Sequence, residues 1–351
     1  MKKGRISAAR KALAIAVAIG SALLCAWPMN SAASASSSQD QRLGGRARPV
    51  ITLQWPQFFG AGNEKSRDSA PRVLIPGGQA IGVAIRTQGV LVVGAGDNGR
   101  DSLREGDMIL SVNGVPLLES AMLTEAVNAA QGQPLSLRIS RGGQENDLLL
   151  TPRYDESSRA WRLGVWVRDS TAGVGTLTYY DPATGAYGAL GHAITDSDTG
   201  SLLPVREGAL MQAEIVDVRR GQRGAPGELR GSFLREQVTL GTVQVNTALG
   251  IYGRLEAPAA SALYPEGLPT ASRGQVHTGA ATILSTIAGQ EACEYAIEIT
   301  QVSRQSAAAP KSMVLRVTDE RLLSSTGGIV QGMSGSPILQ DGRIVGAVTH
   351  V

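Results

Sequence analysis

The sequence predicts a mainly β protein in which a small α+β module precedes a larger all-β region, and three observations lead there. Glycine is abundant, at 43 of 351 residues, while aromatic residues make up only 4%, a balance that favours short strands and many turns over helical bundles. From about residue 154 onward short apolar stretches recur between glycine-rich turns, as strands of a barrel or sandwich do. Only the stretch at about Ser120–Ala130 carries a helical pattern, with Ala121, Leu123, Ala126 and Ala129 able to share one face. Hydrophobic residues make up 42% of the chain, ample for packed cores, and the length predicts two or more domains.

The first segment reads as a targeting signal. Lys2, Lys3, Arg5, Arg10 and Lys11 precede an apolar run from Ala12 to Trp27, the order of a secretory signal or a short membrane anchor. Ala33-Ser34-Ala35 offers a cleavage site, after which the mature chain would begin near Ser36. Leu24 before Cys25 argues against lipoprotein processing. Cys293 is the only other cysteine, so a processed chain holds no intramolecular disulfide and relies on packing. Residues 1–35 are thus expected to be a signal peptide or anchor, and residues 36–70, rich in Ser, Gln, Arg and Gly, a linker.

Residues 71–153 read as the α+β module. Strands are predicted at Ile81–Ile85, Val90–Val93 and Met108–Val112, then the helix, then a pair at Leu135–Ile139 and Asp147–Leu150. Leu103 to Gly114, with Gly106-Asp107 before a buried strand and Asn113-Gly114 after it, resembles the PDZ family signature. Such domains bind extended peptides at a sheet edge. The resemblance implies a groove between Ile81–Ile85 and the helix. Its carboxylate-binding loop would run from Ile75 to Gly82, with Gly77, Gly78, Ile81 and Gly82 around the peptide end.

Residues 154–351 carry the strand-rich pattern. Strands are predicted at Arg162–Val167, Val174–Tyr179, Gln212–Val218, Gln237–Val245, Ala280–Ile287, Tyr295–Val302 and Met313–Val317. About 195 residues suffice for two small barrels with a cleft between them. Gly332-Met333-Ser334-Gly335-Ser336-Pro337-Ile338-Leu339 stands near the end. A serine between glycines, followed by proline and an apolar strand, is how chymotrypsin-like peptidases present a nucleophile. Glycine lets the chain turn sharply, and the N–H groups of Gly332 and Ser334 would form the oxyanion hole. Ser336, next to Pro337, reads as a structural hydroxyl.

A serine peptidase of this type needs a general base, and the chain has three histidines. His192, in Gly191-His192-Ala193-Ile194-Thr195-Asp196, sits at a strand-to-loop corner and is the leading candidate. His277 reads as an exposed strand residue and His350 as structural. Asp196 and Asp198 follow His192 closely and are candidate acids. The net charge is +3, and no basic stripe interleaved with aromatics points to nucleic acid. No cluster has zinc-ligand spacing, and no cofactor is called for.

Together, the PDZ-like module, the His192 motif and Gly327–Ile338 closely resemble the stage IV sporulation protein B family of serine peptidases, over about residues 71–351. The resemblance implies a chymotrypsin-like double β-barrel peptidase domain after the PDZ-like module. It makes Ser334 the nucleophile, His192 the base and Asp319, in Val317-Thr318-Asp319-Glu320, the acid that orients the imidazole. It implies a protein made in the forespore and exported across, or anchored to, its membrane, facing the intermembrane space. There it would cleave itself and then a membrane-bound regulator, its protein substrate, freeing an intramembrane metalloprotease to process a mother-cell sigma factor. At least one further strand follows the nucleophile hairpin in that family, so the 351 residues are expected to be a C-terminally shortened peptidase domain. The competing expectation is a non-catalytic envelope adaptor that holds peptide tails in the PDZ-like groove. A heat-shock protease is disfavoured because its PDZ domain follows the protease domain.

Overall fold

A computed structural model describes residues 71–96, 102–233, 239–256, 263–303 and 311–350. The expected signal and linker lie outside these residues. A short strand, β1 (Val73–Pro76), leads into the long β2 (Ala80–Ala95). The α+β module follows as β3 (Met108–Val112), β4 (Val115–Pro116), α1 (Ser120–Ala129), β5 (Leu135–Arg141) and β6 (Gln144–Leu150), then the hairpin β7 (Arg153–Asp155) and β8 (Ala160–Arg162). The chain continues through β9 (Val165–Tyr180), β10 (Ala186–Ala189), β11 (Val205–Gln212), β12 (Glu214–Arg219), β13 (Glu228–Ser232), β14 (Thr239–Thr247) and β15 (Gly250–Leu255). Last come β16 (Leu268–Pro269), β17 (Gly279–Ser285), β18 (Cys293–Val302), β19 (Met313–Val317), the helix α2 (Glu320–Thr326), β20 (Pro337–Gln340) and β21 (Arg343–Ala347). The mainly β class with one α+β module is the one expected.

Six antiparallel strands close a barrel in the order β2-β9-β10-β15-β14-β11, and β11 returns to β2. Ile81, Val83 and Ile85 alternate into its core beside Leu177, Tyr187, Leu210, Val243 and Ile251. A second sheet, β19-β18-β17-β20-β21, builds the other lobe. Its core combines Ile283, Tyr295, Ile297 and Ile299 with Leu322, Val330, Met333 and Ile338.

The expected division at 153/154 does not coincide with the sheets. Both β2 and β9 run through the barrel and the module. They pair continuously from Ala80↔Thr176 to Arg86↔Ser170, and again from Leu91↔Arg168 to Ala95↔Val165. Between the two stretches β2 bulges, with Gly89 at φ 91° and the buried Thr87 hydroxyl donating to Gly89 O and Asp169 O. A bulge shifts the alternation of side chains. Odd-numbered residues therefore fill the barrel core before it, while Val90 and Val92 fill the module core after it. The module is thus inserted between the first two strands of the barrel. In the helix, Leu123 and Val127 are the buried positions, backed by Met122, Ala126 and Ala130. Ala121 and Ala129 are exposed, because the larger side chains four apart win the core face.

The expected carboxylate-binding loop is part of the barrel instead. Gly77 N donates to Thr178 O and Gly78 N to Leu177 O, so neither amide is available to a peptide end. Ile81 is fully buried, and β2 is paired on both edges across Ile81 and Gly82, by β9 and β11. A concavity of about 340 Å³ lies elsewhere on the module, between α1 and the start of β9, lined by Leu123, Val127, Trp161, Leu163 and Val165.

Candidate active site

The turn from Gln331 to Ser336 is pinned from beneath. Met333 is fully buried in the second core, which forces the residues on either side of it toward the surface. Ser336 N donates to Met333 O, Val348 N to Ser336 O and Gly335 N to Val348 O, all between 2.8 and 3.0 Å. Gly335 has φ 99° and a Cβ there would lie 2.2 Å from Thr176 O, so only glycine fits. On this scaffold Ser334 is partly exposed, and its Oγ lies 3.4 Å from Thr349 O, a loose contact. Among the described residues, neither Gly332 N–H nor Ser334 N–H has a hydrogen-bond partner. Two free amides flanking an available hydroxyl can accept a developing negative charge.

His192 follows β10 through a left-handed corner, Leu190 at φ 69° and Gly191 at φ 70°. Its Nδ1 lies 2.8 Å from Ala193 O. A carbonyl only accepts, so this contact places the proton on Nδ1 and leaves the Nε2 lone pair free to take one. The loop beyond is clamped by Asn246, which accepts from Ile194 N and donates to Ile194 O and Leu203 O, at 2.9, 2.7 and 3.0 Å.

The structure gathers His192 and Ser334 around one segment, Val348–His350. A Cβ built on Gly191 would lie 2.9 Å from Thr349 Cγ2 and 3.2 Å from Val348 O, while the serine hydroxyl points at the Thr349 carbonyl. No direct bond joins imidazole and hydroxyl. Such bonds are often long in a ligand-free site and tighten when substrate arrives. His350, expected to be structural, stands at the site instead, its ring 6.1 Å from that of His192. Partial burial, then the positive charge of Lys311 and that of His192 once it has taken up a proton, push its pKa below the ordinary histidine value. An open groove of about 1030 Å³ runs from Thr349 and His350 along Met313, Leu315, Val345 and Arg223.

The three carboxylates proposed from sequence are not beside the imidazole. Asp319 is the N-cap of α2: it accepts from Arg321 N and Leu322 N, from Ala296 N and from the Arg321 guanidinium. The Arg321 side chain above all, and these amides, hold its pKa far below the usual carboxylate range despite some burial. Asp196 is buried and bonded to Arg168, to Thr199 and to the Asp198 amide. Burial raises its pKa, but these hydrogen bonds outweigh it and the net shift is downward. Asp198 pairs with Arg168 on the surface. Among the described residues, then, the His192 ring bonds a backbone carbonyl and no carboxylate. Ser336 is fully buried.

Residues 159–351 match the family described as SpoIVB peptidase S55. The chain belongs to the SpoIVB peptidase family. It is therefore a serine peptidase of sporulation, a hydrolase of peptide bonds whose substrates are proteins or peptides. The matched stretch runs from β8 onward and takes in every barrel strand but β2, together with the His192 corner and the Ser334 turn. Among solved structures the chain is similar to the PDZ domain of the SdrC-like protein from Listeria monocytogenes, at 17% identity and a TM-score of 0.22. That likeness covers 23% of this chain and 87% of that one. No curated protein matches the chain significantly.

In this member of the family, four residues of the site had little signal in the sequence. Thr176 and Asn246 are ordinary polar residues of strands, Arg168 is one of many arginines, and His350 alternates with apolar neighbours. Asn246 continues the polar positions of the alternation Val243-Gln244-Val245-Asn246, and it is buried beyond the bulge between Val243 and Val245, which no local pattern records.

Proposed function

We propose that the protein is an exported endopeptidase that cleaves itself and then the exposed part of a membrane-bound regulator, so that an intramembrane metalloprotease can process a mother-cell sigma factor. His192 Nε2 takes the Ser334 proton, Ser334 Oγ attacks the scissile carbonyl, and the Gly332 and Ser334 amides stabilise the oxyanion. His192 then protonates the leaving amine, and water hydrolyses the acyl-enzyme. The observation that carries this reading is the pair of unpartnered amides beside the serine, with the histidine corner packed on the same Thr349 segment. Ala193 O holds the tautomer that an acid would otherwise hold. Asp319, the acid implied by family resemblance, is engaged as the α2 cap and by Arg321. Export to the forespore side of the intermembrane space is part of the proposal and rests on the N-terminal Lys/Arg and apolar pattern.

Self-cleavage of the purified chain, followed by mass spectrometry beside its Ser334→Ala twin, tests the mechanism. Fragments from the parent and none from the twin are expected, since loss of the nucleophile alone costs about 10⁶-fold in a serine peptidase. Equal fragmentation of both would overturn the assignment of Ser334.

A further inference from the structure

We infer that Thr176 is the positioning residue of the oxyanion hole, an inference that rests on the reading of Ser334 as nucleophile. Thr176 lies in β9, is 1% exposed, and all three of its polar groups serve the site. Its Oγ1 donates to Gly332 O at 2.9 Å. Its N–H donates to Ser334 O at 3.1 Å, and its carbonyl accepts from Leu190 N at 3.2 Å, two residues before His192. One strand residue thus touches both ends of the nucleophile turn and the corner that carries the base.

The geometry of β9 makes this possible. Thr176 is opposite Ala80 on one side. On the other, β10 is bulged between Gly188 and Ala189 and its ladder with β9 ends at Ala189↔Leu177. The polar groups of Thr176 are thereby released from sheet pairing and turned to the loops. A backbone amide that leaves a ladder needs another partner, and the nucleophile turn supplies it.

The effect on the hole follows from peptide planarity. Anchoring a carbonyl fixes the plane it shares with the next amide. Thr176 fixes the 332–333 and 334–335 planes; Leu229 N, bonded to Gln331 O, fixes 331–332; and Ser336 N, bonded to Met333 O, fixes 333–334. The two hole amides belong to the second pair of planes and alternate with the planes Thr176 holds. Gly332, at φ 95°, has no Cβ to restrict rotation. The Thr176 hydroxyl is the only side-chain donor on its carbonyl among the described residues. Met333 N, bonded to Val330 O, holds the other edge of the 332–333 plane, so removing the hydroxyl leaves that peptide anchored on one edge instead of two and lets it tilt, which turns the amides on both sides away from the oxyanion.

The test compares Thr176→Val, which keeps the branched shape without the donor, with Thr176→Ser, which keeps the donor. Each is made in the full chain beside the parent and Ser334→Ala, with labelled casein as substrate and a fluorophosphonate as serine-directed probe. The phosphoryl oxygen of the probe enters the oxyanion hole, so its labelling rate reports the hole directly. Thr176→Val is expected to lower kcat by about 10- to 100-fold with KM within about twofold, and to slow labelling by the same factor. Thr176→Ser should recover most of both. A Val variant that cleaves and labels like the parent, or a Ser variant as impaired as the Val one, overturns the inference while leaving Ser334 as nucleophile. A parent with no Ser334-dependent cleavage or labelling overturns both. Should the Val variant not fold, Thr176→Cys, with a weak donor of similar size, takes its place. Its kcat is expected to fall clearly below that of Thr176→Ser, and a parent-like value would overturn the inference.

Discussion

Ser334 and Ser336 stand two positions apart on one turn, yet only Ser334 is open to solvent. Ser336 is fully buried, and its Oγ has no hydrogen-bond partner among the described residues. A buried unpaired hydroxyl carries its desolvation penalty without return. Ser336→Ala is therefore expected to leave cleavage intact and to raise stability by up to about 1 kcal/mol, read from denaturant midpoints at constant m-value. A loss of activity with unchanged stability would count against this. At this scale the sequence was legible where the backbone demands a residue type: Gly335 cannot be anything else, so the glycine directly after Ser334 could be read as the mark of the turn. The choice of acid was not legible. Asp319 looks alike in sequence whether it caps a helix or orients a histidine, and only the Arg321 and Ala296 contacts separate the two.

At the scale of elements, α2 shows what Asp319 does in this fold. The helix has seven residues, too short to persist alone, and depends on its cap and on Leu322 in the second core. Asp319→Ala is expected to cost about 1 kcal/mol, and Asp319→Asn, which can still cap, much less. The ionised cap contributes in full above the unfolded value of 3.8, and the contribution is lost as pH falls through the lowered native pKa. The parent and Asp319→Ala should therefore converge in stability toward strongly acid pH, as acid titration followed by circular dichroism would show. A gap that widened on acidification would contradict this origin. Strand existence was largely legible: Met313–Val317 was predicted to the residue. Strand length was not. Gly89 and Gly173 fall between separately predicted short strands, but β2 and β9 pass through them because each has the other as partner. A bulge absorbs Gly89, and close packing uses the missing Cβ of Gly175, where Leu190 Cδ2 would lie 2.0 Å away.

For the whole molecule, the α+β module also supports the loop beyond His192. Ile194 and Leu203 of that loop pack with Leu91, Met108, Val93 and Leu110 of the module and its strand, and Arg168 ties the loop through Asp196 and Asp198. Leu203 is 1% exposed. Leu203→Ala is expected to destabilise the protein by about 2–5 kcal/mol and to raise hydrogen exchange from Ala193 to Thr195 and from β3 together. Exchange confined to one side would show that loop and module open independently. The sequence revealed both a module and a barrel, but not that one sits inside the other. Chain order alone reads as module then barrel, since the pairing of β2 with β9 is a contact between distant residues that no local pattern records.

That nesting also orders events during synthesis. The first barrel strand, β2, emerges long before its partner β9, and some seventy residues of module lie between them. The barrel cannot close until the module has been made, and a folded module brings the two strand ends together before the rest of the barrel exists. The module shortens the loop that β2 and β9 must close, and so acts as the template on which the peptidase fold begins.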